Sequence, residues 1–123
     1  MAVSTQRPVL TSALFIIRDT DADGTSEDNV TAGAATIYAV QINNSANASA
    51  SSYVKFYNNA APTVGTTAPD MILMAAGGAT TNYAFPKGNA VFTTALSYAC
   101  VTTAGTAGTT NPTSDVVVIM VVA

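Results

Sequence analysis

The stretch TIYAVQINNSANASASSYVKFY, residues 36–57, decides the fold class. Its two ends alternate as β-strands do. In the first, Tyr38, Val40 and Ile42 are expected on one face and Ile37, Ala39 and Gln41 on the other. In the second, Val54 and Phe56 oppose Tyr53, Lys55 and Tyr57. Period-two alternation is the pattern of a strand with one face in a core. The connector, residues 43–52, has no hydrophobic residue larger than alanine and is rich in Asn and Ser, so nothing in it asks for burial. The two strands are read as the central pair of an all-β domain.

Strand signals continue on both sides. Upstream lies ALFII (residues 13–17), apolar on both faces, followed by an acidic loop over residues 19–29 that holds five of the chain's seven carboxylates. Downstream come MILM (71–74), NYAF (82–85), one or two strands within 90–103, and VVVIMVV (116–122), separated by Gly, Pro and Asn. No stretch has a helical apolar stripe. The expectation is an all-β fold, a jelly-roll-like β-sandwich of about seven to eight short strands. Residues 1–12, polar and interrupted by Arg7-Pro8, read as an extended N-terminal arm. Residues 13–123 form a single β-sandwich domain.

Composition narrows the function. Hydrophobic residues make up 49% of the chain but charged ones only 9%, against roughly 25% in an ordinary soluble domain. Ala, Thr, Ser and Asn replace the charges, giving a neutral surface suited to contact with other protein. Net charge is −3, and the four basic residues, Arg7, Arg18, Lys55 and Lys87, stand singly. Phosphate neutralisation is therefore not expected, and no nucleic acid is a partner. No run approaches the roughly 20 apolar residues of a membrane span, so no membrane partner is expected either. The opening MAVSTQRPVL lacks a basic segment followed by an apolar one, which implies synthesis in a cytoplasm.

Catalytic chemistry is poorly supplied. The chain has no His, which removes the commonest base for a Ser or Cys nucleophile. Cys100, within LSYACV, reads as a small buried hydrophobe. Lys55 and Lys87 read as solvated surface charges. No enzyme is expected. The acidic loop opens like a calcium loop, with Asp19, Asp21, Asp23 and Glu27 as oxygen donors around Gly24, but Val30 stands where a closing bidentate Glu belongs. It reads as a solvated acidic turn with no cofactor. The alternative is a structural calcium held by those four residues.

The terminal strand carries a separate expectation. Val116, Val118, Met120 and Val122 fill one face while Val117, Ile119 and Val121 fill the other. A sheet in a two-layer sandwich normally has one wet face, so the second apolar face needs a cover. A partner subunit is expected to supply it, making a homo-oligomer, a trimer by preference. Folding of the C-terminal loops over the strand is the other possibility. Val117, Ile119 and Val121, with Arg7 and Pro8 of the arm, are the candidate interface residues.

The run from Tyr38 to Gly108 resembles small β-rich virion proteins of tailed bacteriophages, cyanophages among them. The resemblance rests on the strand end Ile42-Asn43-Asn44, Lys55 in the second strand, PTVGTTAP (62–69), YAFPKG (83–88) and ALSYA (95–99). It covers roughly residues 36–123 and leaves the arm and the acidic loop outside. It implies a capsid decoration, or cement, protein on the virion surface, with the major capsid protein as partner. A tail or fibre component is the alternative location, and a calcium-dependent carbohydrate-binding or adhesion module the alternative class. The resemblance carries no site residues.

Overall fold

The computed structural model describes residues 14–123. Eight strands form in this span: β1 (Phe15–Ala22), β2 (Ala35–Asn43), β3 (Ser52–Tyr57), β4 (Met71–Ala75), β5 (Thr80–Ala84), β6 (Ala90–Phe92), β7 (Ser97–Val101) and β8 (Val116–Val122). They make two antiparallel sheets. The larger has the order β1-β8-β2-β5, with the short β6 also paired to β2; the smaller has the order β4-β3-β7. The protein is an all-β sandwich, as the alternation and punctuation of the sequence require. The expected arm, residues 1–12, lies outside the described residues.

The core is the space between the sheets. Ile37, Val40, Ile42, Phe92, Val116, Val118, Met120 and Val122 enter it from the larger sheet. Val54, Phe56, Leu73, Tyr98 and Cys100 enter from the smaller. Phe56 sits between two aromatic neighbours, its ring centroid 6.4 Å from that of Phe92 and 6.3 Å from that of Tyr98. Full burial of one such apolar side chain is worth about 1.5–3 kcal/mol, so this layer dominates the stability.

Four expectations need correction. β2 and β3 are strands, but they do not pair: they lie in opposite sheets, and their connector crosses the end of the sandwich. The alternation within β2 is also broken. Its register against β8 slips between Ile37 and Ala39, and the extra residue reverses the phase. Ile37 therefore faces the core together with Val40 and Ile42, while Tyr38 does not.

The connector, third, is not free of buried groups. Asn44, Asn47 and Ser52 are buried in it. Asn44 Nδ2 donates to the carbonyls of Ala50 at 2.8 Å, Ala76 at 3.1 Å and Ala75 at 3.3 Å. Its Oδ1 accepts from Ser52 Oγ at 2.8 Å and Asn47 Nδ2 at 2.9 Å. Asn47 in turn exchanges two hydrogen bonds with the backbone of Ser114. These asparagines replace an apolar plug at this end. Gly77 fits beneath them because a Cβ there would stand 2.8 Å from the Ala50 nitrogen.

Lys55 is the fourth correction. It is fully buried rather than a solvated surface charge. It points outward from β3, but the loops over residues 58–70 and 102–115 lie across that face of the smaller sheet. Its Nζ donates to Gly108 O at 2.7 Å and Thr106 O at 3.4 Å. The two loops also touch each other: a Cβ on Gly65, whose φ is +93°, would meet Thr109 Cγ2 at 2.6 Å. Tyr57, Ser97, Ala99 and Val101 are buried under the same cover. The C-terminal loop thus covers the smaller sheet and leaves the outer face of β8 uncovered by that loop.

Candidate functional site

Each side chain that faces outward from the larger sheet follows from the registers. Ile16 and Arg18 of β1 lie beside Val121 and Ile119 of β8. Those two stand opposite Ala39 and Gln41 of β2, with Val117 opposite Asn43. Ala84, Asn82 and Thr80 of β5 complete the rows. Of these positions Arg18 alone is charged. The interface residues expected from the sequence, Val117, Ile119 and Val121, are therefore brought together along the middle of an open face, each half-buried. Arg7 and Pro8 lie outside the described residues.

The face is not flat. Small residues at Ala39 and Ala84 stand beside the larger Ile119 and Val121 and leave a shallow hollow of about 260 Å³, walled also by Gln41, Asn82 and Tyr83. Gln41 Nε2 donates to Asn82 Oδ1 at 3.0 Å across one side of it. A second hollow of about 150 Å³, lined by Leu14, Phe15, Ile16 and Val121, continues the apolar surface to the sheet edge. Contiguous apolar surface of this kind marks interaction sites more often than it occurs by chance.

The acidic residues are placed differently from the expected loop. Asp19 and Asp21 belong to β1. The segment after them runs beside β7: Cys100 N donates to Asp23 O at 2.7 Å, and Glu27 and Tyr98 exchange backbone hydrogen bonds at 2.8 and 3.1 Å. The segment is thus a distorted edge strand. Each carboxylate finds a local donor or stays in water. Asp19 Oδ2 accepts from Tyr98 Oη at 2.9 Å, and Asp23 Oδ1 from Thr25 N at 2.8 Å. Among the described residues, no three acidic or cysteine side chains stand where one metal ion could bind them.

Electrostatics show that the cluster is crowded. Asp21 is raised above the usual carboxylate range, first by its hydrogen bond with the Asp19 side chain and then by the charges of Asp19, Asp115 and Asp23. Glu27 is raised by partial burial and then by Asp19, Asp21, Asp23 and Asp28.

Two groups with catalytic potential, Cys100 and Lys55, are buried. Cys100 is buried, and burial, followed by the charges of Asp19 and Asp23, pushes its thiol up to about 12. A thiol held that far from ionisation is no nucleophile near neutral pH. Burial holds Lys55 below the ordinary lysine range, yet both of its bonds go to backbone carbonyls under the loop cover. Tyr57 Oη is buried and has no hydrogen-bond partner among the described residues.

The sequence did not reveal the tyrosines that close the sandwich. Tyr83 Oη receives Met74 N at 3.2 Å and donates to Met74 O at 2.5 Å, so a β5 side chain caps the open edge of β4. Tyr98 does the equivalent from β7 to Asp19. Their placement within alternating runs showed that they were strand residues, but not which backbone they would reach.

No family model matches the chain, and no curated protein or solved structure matches it.

Proposed function

We propose that this chain is a non-enzymatic virion structural protein, a decoration or cement protein of the capsid surface that binds between capsid subunits and acts as a homo-oligomer. The observation that carries the reading is the outer face of the larger sheet: half-buried Val117, Ile119 and Val121, small neighbours at Ala39 and Ala84, and Arg18 as the one charge among its described strand positions. Such a face suits a protein partner, since apolar burial contributes roughly 25 cal/mol per Å² before association costs. It does not suit a charged substrate. The major capsid protein is the proposed partner.

Two further features support it. The residue patterns over 36–123 resemble phage virion proteins. The chain also alternates between the sheets: β1 in the larger, residues 23–27 beside the smaller, β2 in the larger, β3 and β4 in the smaller, β5 and β6 in the larger, then β7 and β8 one in each. That winding supports a jelly-roll reading, an architecture used by viral capsid domains.

Electron microscopy of particles that carry the chain tests the proposal. Density for this sandwich at the junctions of capsid subunits is the expected result, with the Val121 face against the shell. Density confined to the tail, or a sandwich contacting the shell through the 102–115 loop instead, overturns it. An Ile119→Glu variant should fold and fail to bind bare capsids.

A further inference from the structure

β1 is the outermost strand of the larger sheet, and no described residue pairs with its far edge. Natural edge strands are usually protected by charge, a bulge, proline or a covering segment. The two halves of β1 differ in this respect. The half after Arg18 carries Asp19 and Asp21, and its register against β8 slips between Asp19 and Ala22, so it is both negative and bent. Among the described residues, the half before it has no such protection. Phe15 is 43% exposed and Ile16 68%, the highest value for a large apolar residue among those described. The 150 Å³ hollow opens beside these same residues. By contrast, the smaller sheet is closed on both sides, at β4 by Tyr83 and at β7 by residues 23–27.

We propose that a second copy of this chain occupies this edge, β1 pairing antiparallel with β1 about a two-fold axis at Ile16. The charges of the strand itself favour a second copy as the occupant and narrow the register to its apolar first half. When the larger sheets join with both smaller sheets on the same side, the axis passes through one residue and its twin. Centred on Ile16, the pairing sets Ile16 against Ile16, Phe15 against Ile17 and Leu14 against Arg18, so no like charges meet. Centred on Ile17, it sets Phe15 against Asp19. Centred on Arg18 it opposes two guanidinium groups, and centred on Asp19 two carboxylates, and like charges directly across a sheet are destabilising. The segment Phe15-Ile16-Ile17 is thus self-complementary on reversal.

This inference rests on the reading of the chain as a self-associating protein and narrows it: the symmetry is two-fold, not the three-fold that β8 alone suggested. It also serves the docking face. A two-fold axis normal to the sheet leaves both outer faces on one side, with a continuous apolar row Val121, Ile16, Ile16, Val121 across the join. One shell would then be gripped by two faces at once, which raises avidity without new kinds of contact.

Native mass spectrometry and cysteine cross-linking test it on the whole chain. Wild type should be a dimer. Ile16→Lys, at a position exposed enough to leave the fold intact by circular dichroism, should be a monomer. Ile16→Cys should cross-link to a dimer on oxidation, because twin Cβ atoms across such a pair lie about 4.5–5.5 Å apart. Arg18→Cys should cross-link at least tenfold less, its twin being four residues away along the strand, about 13 Å. A trimer or larger oligomer that Ile16→Lys leaves intact overturns the β1 pairing and keeps the self-association reading. Equal cross-linking of the two cysteine variants overturns the register, and a monomeric wild type overturns both the pairing and self-association.

Discussion

The Tyr98 hydroxyl donates a 2.9 Å hydrogen bond to the Asp19 carboxylate, reaching from β7 of the smaller sheet to β1 of the larger. Its counterpart on the opposite side is Tyr83, which reaches from β5 to the backbone of Met74 on β4. Two tyrosines therefore tie the sheets together along their open sides, where the apolar core ends and water begins. A ring fills the margin of the core and a hydroxyl meets the polar rim.

Tyr98→Phe should keep the packing and remove the tie. A hydrogen bond to a charged group is worth about 1.5–3 kcal/mol; Asp19 is partly exposed and can recruit water, so the expected loss at pH 7 is nearer 1 kcal/mol. The pH dependence is more specific. Burial, then the charge of and hydrogen bond to Asp19, raise the Tyr98 pKa above its ordinary value, which is about 10. The folded state then holds its proton where the unfolded state releases it. Stability from this group is complete below about pH 10 and declines as pH rises beyond it. Urea titrations at pH 7 and pH 10.5 should show the gap between wild type and Tyr98→Phe shrinking. A constant gap would place the tie elsewhere.

Asn44 should be the most sensitive polar position. Its side chain makes five hydrogen bonds, three as donor and two as acceptor, and it is fully buried. Asn44→Ala leaves several of those partners unsatisfied at about 1–3 kcal/mol each where water cannot enter. A total loss of about 3–5 kcal/mol is expected in denaturant titration. Less than 1 kcal/mol would mean that water replaces the side chain without penalty.

What was legible in the sequence follows period and punctuation. VVVIMVV (116–122) matches β8 residue for residue, because a mostly β-branched run after a polar loop has few alternatives. MILM and LSYACV were equally plain. Tyr38 was misplaced because a bulge depends on the partner strand's register, which one strand's letters do not record. Asn44 and Lys55 were misread for one reason. Their polarity argues for solvent, and only the tertiary fold brings carbonyls from residues 50, 75 and 76, or 106 and 108, to satisfy them. The outer face of β8 was visible as an apolar surplus, whereas the protected and unprotected halves of β1 required the sheet order.

Lys55→Met tests whether the buried ammonium holds the fold or only its loop. The methionine keeps most of the apolar stem and removes a desolvated charge that has no carboxylate beside it. Thr106 is exposed and Gly108 partly so, so water can satisfy the carbonyls left behind. Global stability should change by no more than about 1 kcal/mol. Hydrogen exchange at residues 103–110 should accelerate at least tenfold, since the loop loses its anchor. A loss above about 3 kcal/mol with unchanged loop exchange would reverse the assignment.

The acidic margin should make the protein more stable in mild acid than at neutrality. Asp21 and Glu27 both have raised pKa values, and the charges of neighbouring carboxylates contribute to each. A carboxyl group whose folded pKa lies above its unfolded value takes up its proton more readily in the folded state. Its stabilising contribution is therefore complete below the unfolded value, about 4, and is lost as pH rises through the folded one. Melting temperature should rise as pH falls from 7 towards 5, and Asp21→Asn should flatten that rise. Calcium would relieve the same repulsion by another route, but no three of these side chains converge on one point. Millimolar calcium or chelator should accordingly shift the melting temperature by no more than about 2 °C, because only a ligand that binds the folded state stabilises it by mass action. A large calcium-dependent rise that disappears in Asp21→Asn would show that the strand end rearranges to form a site.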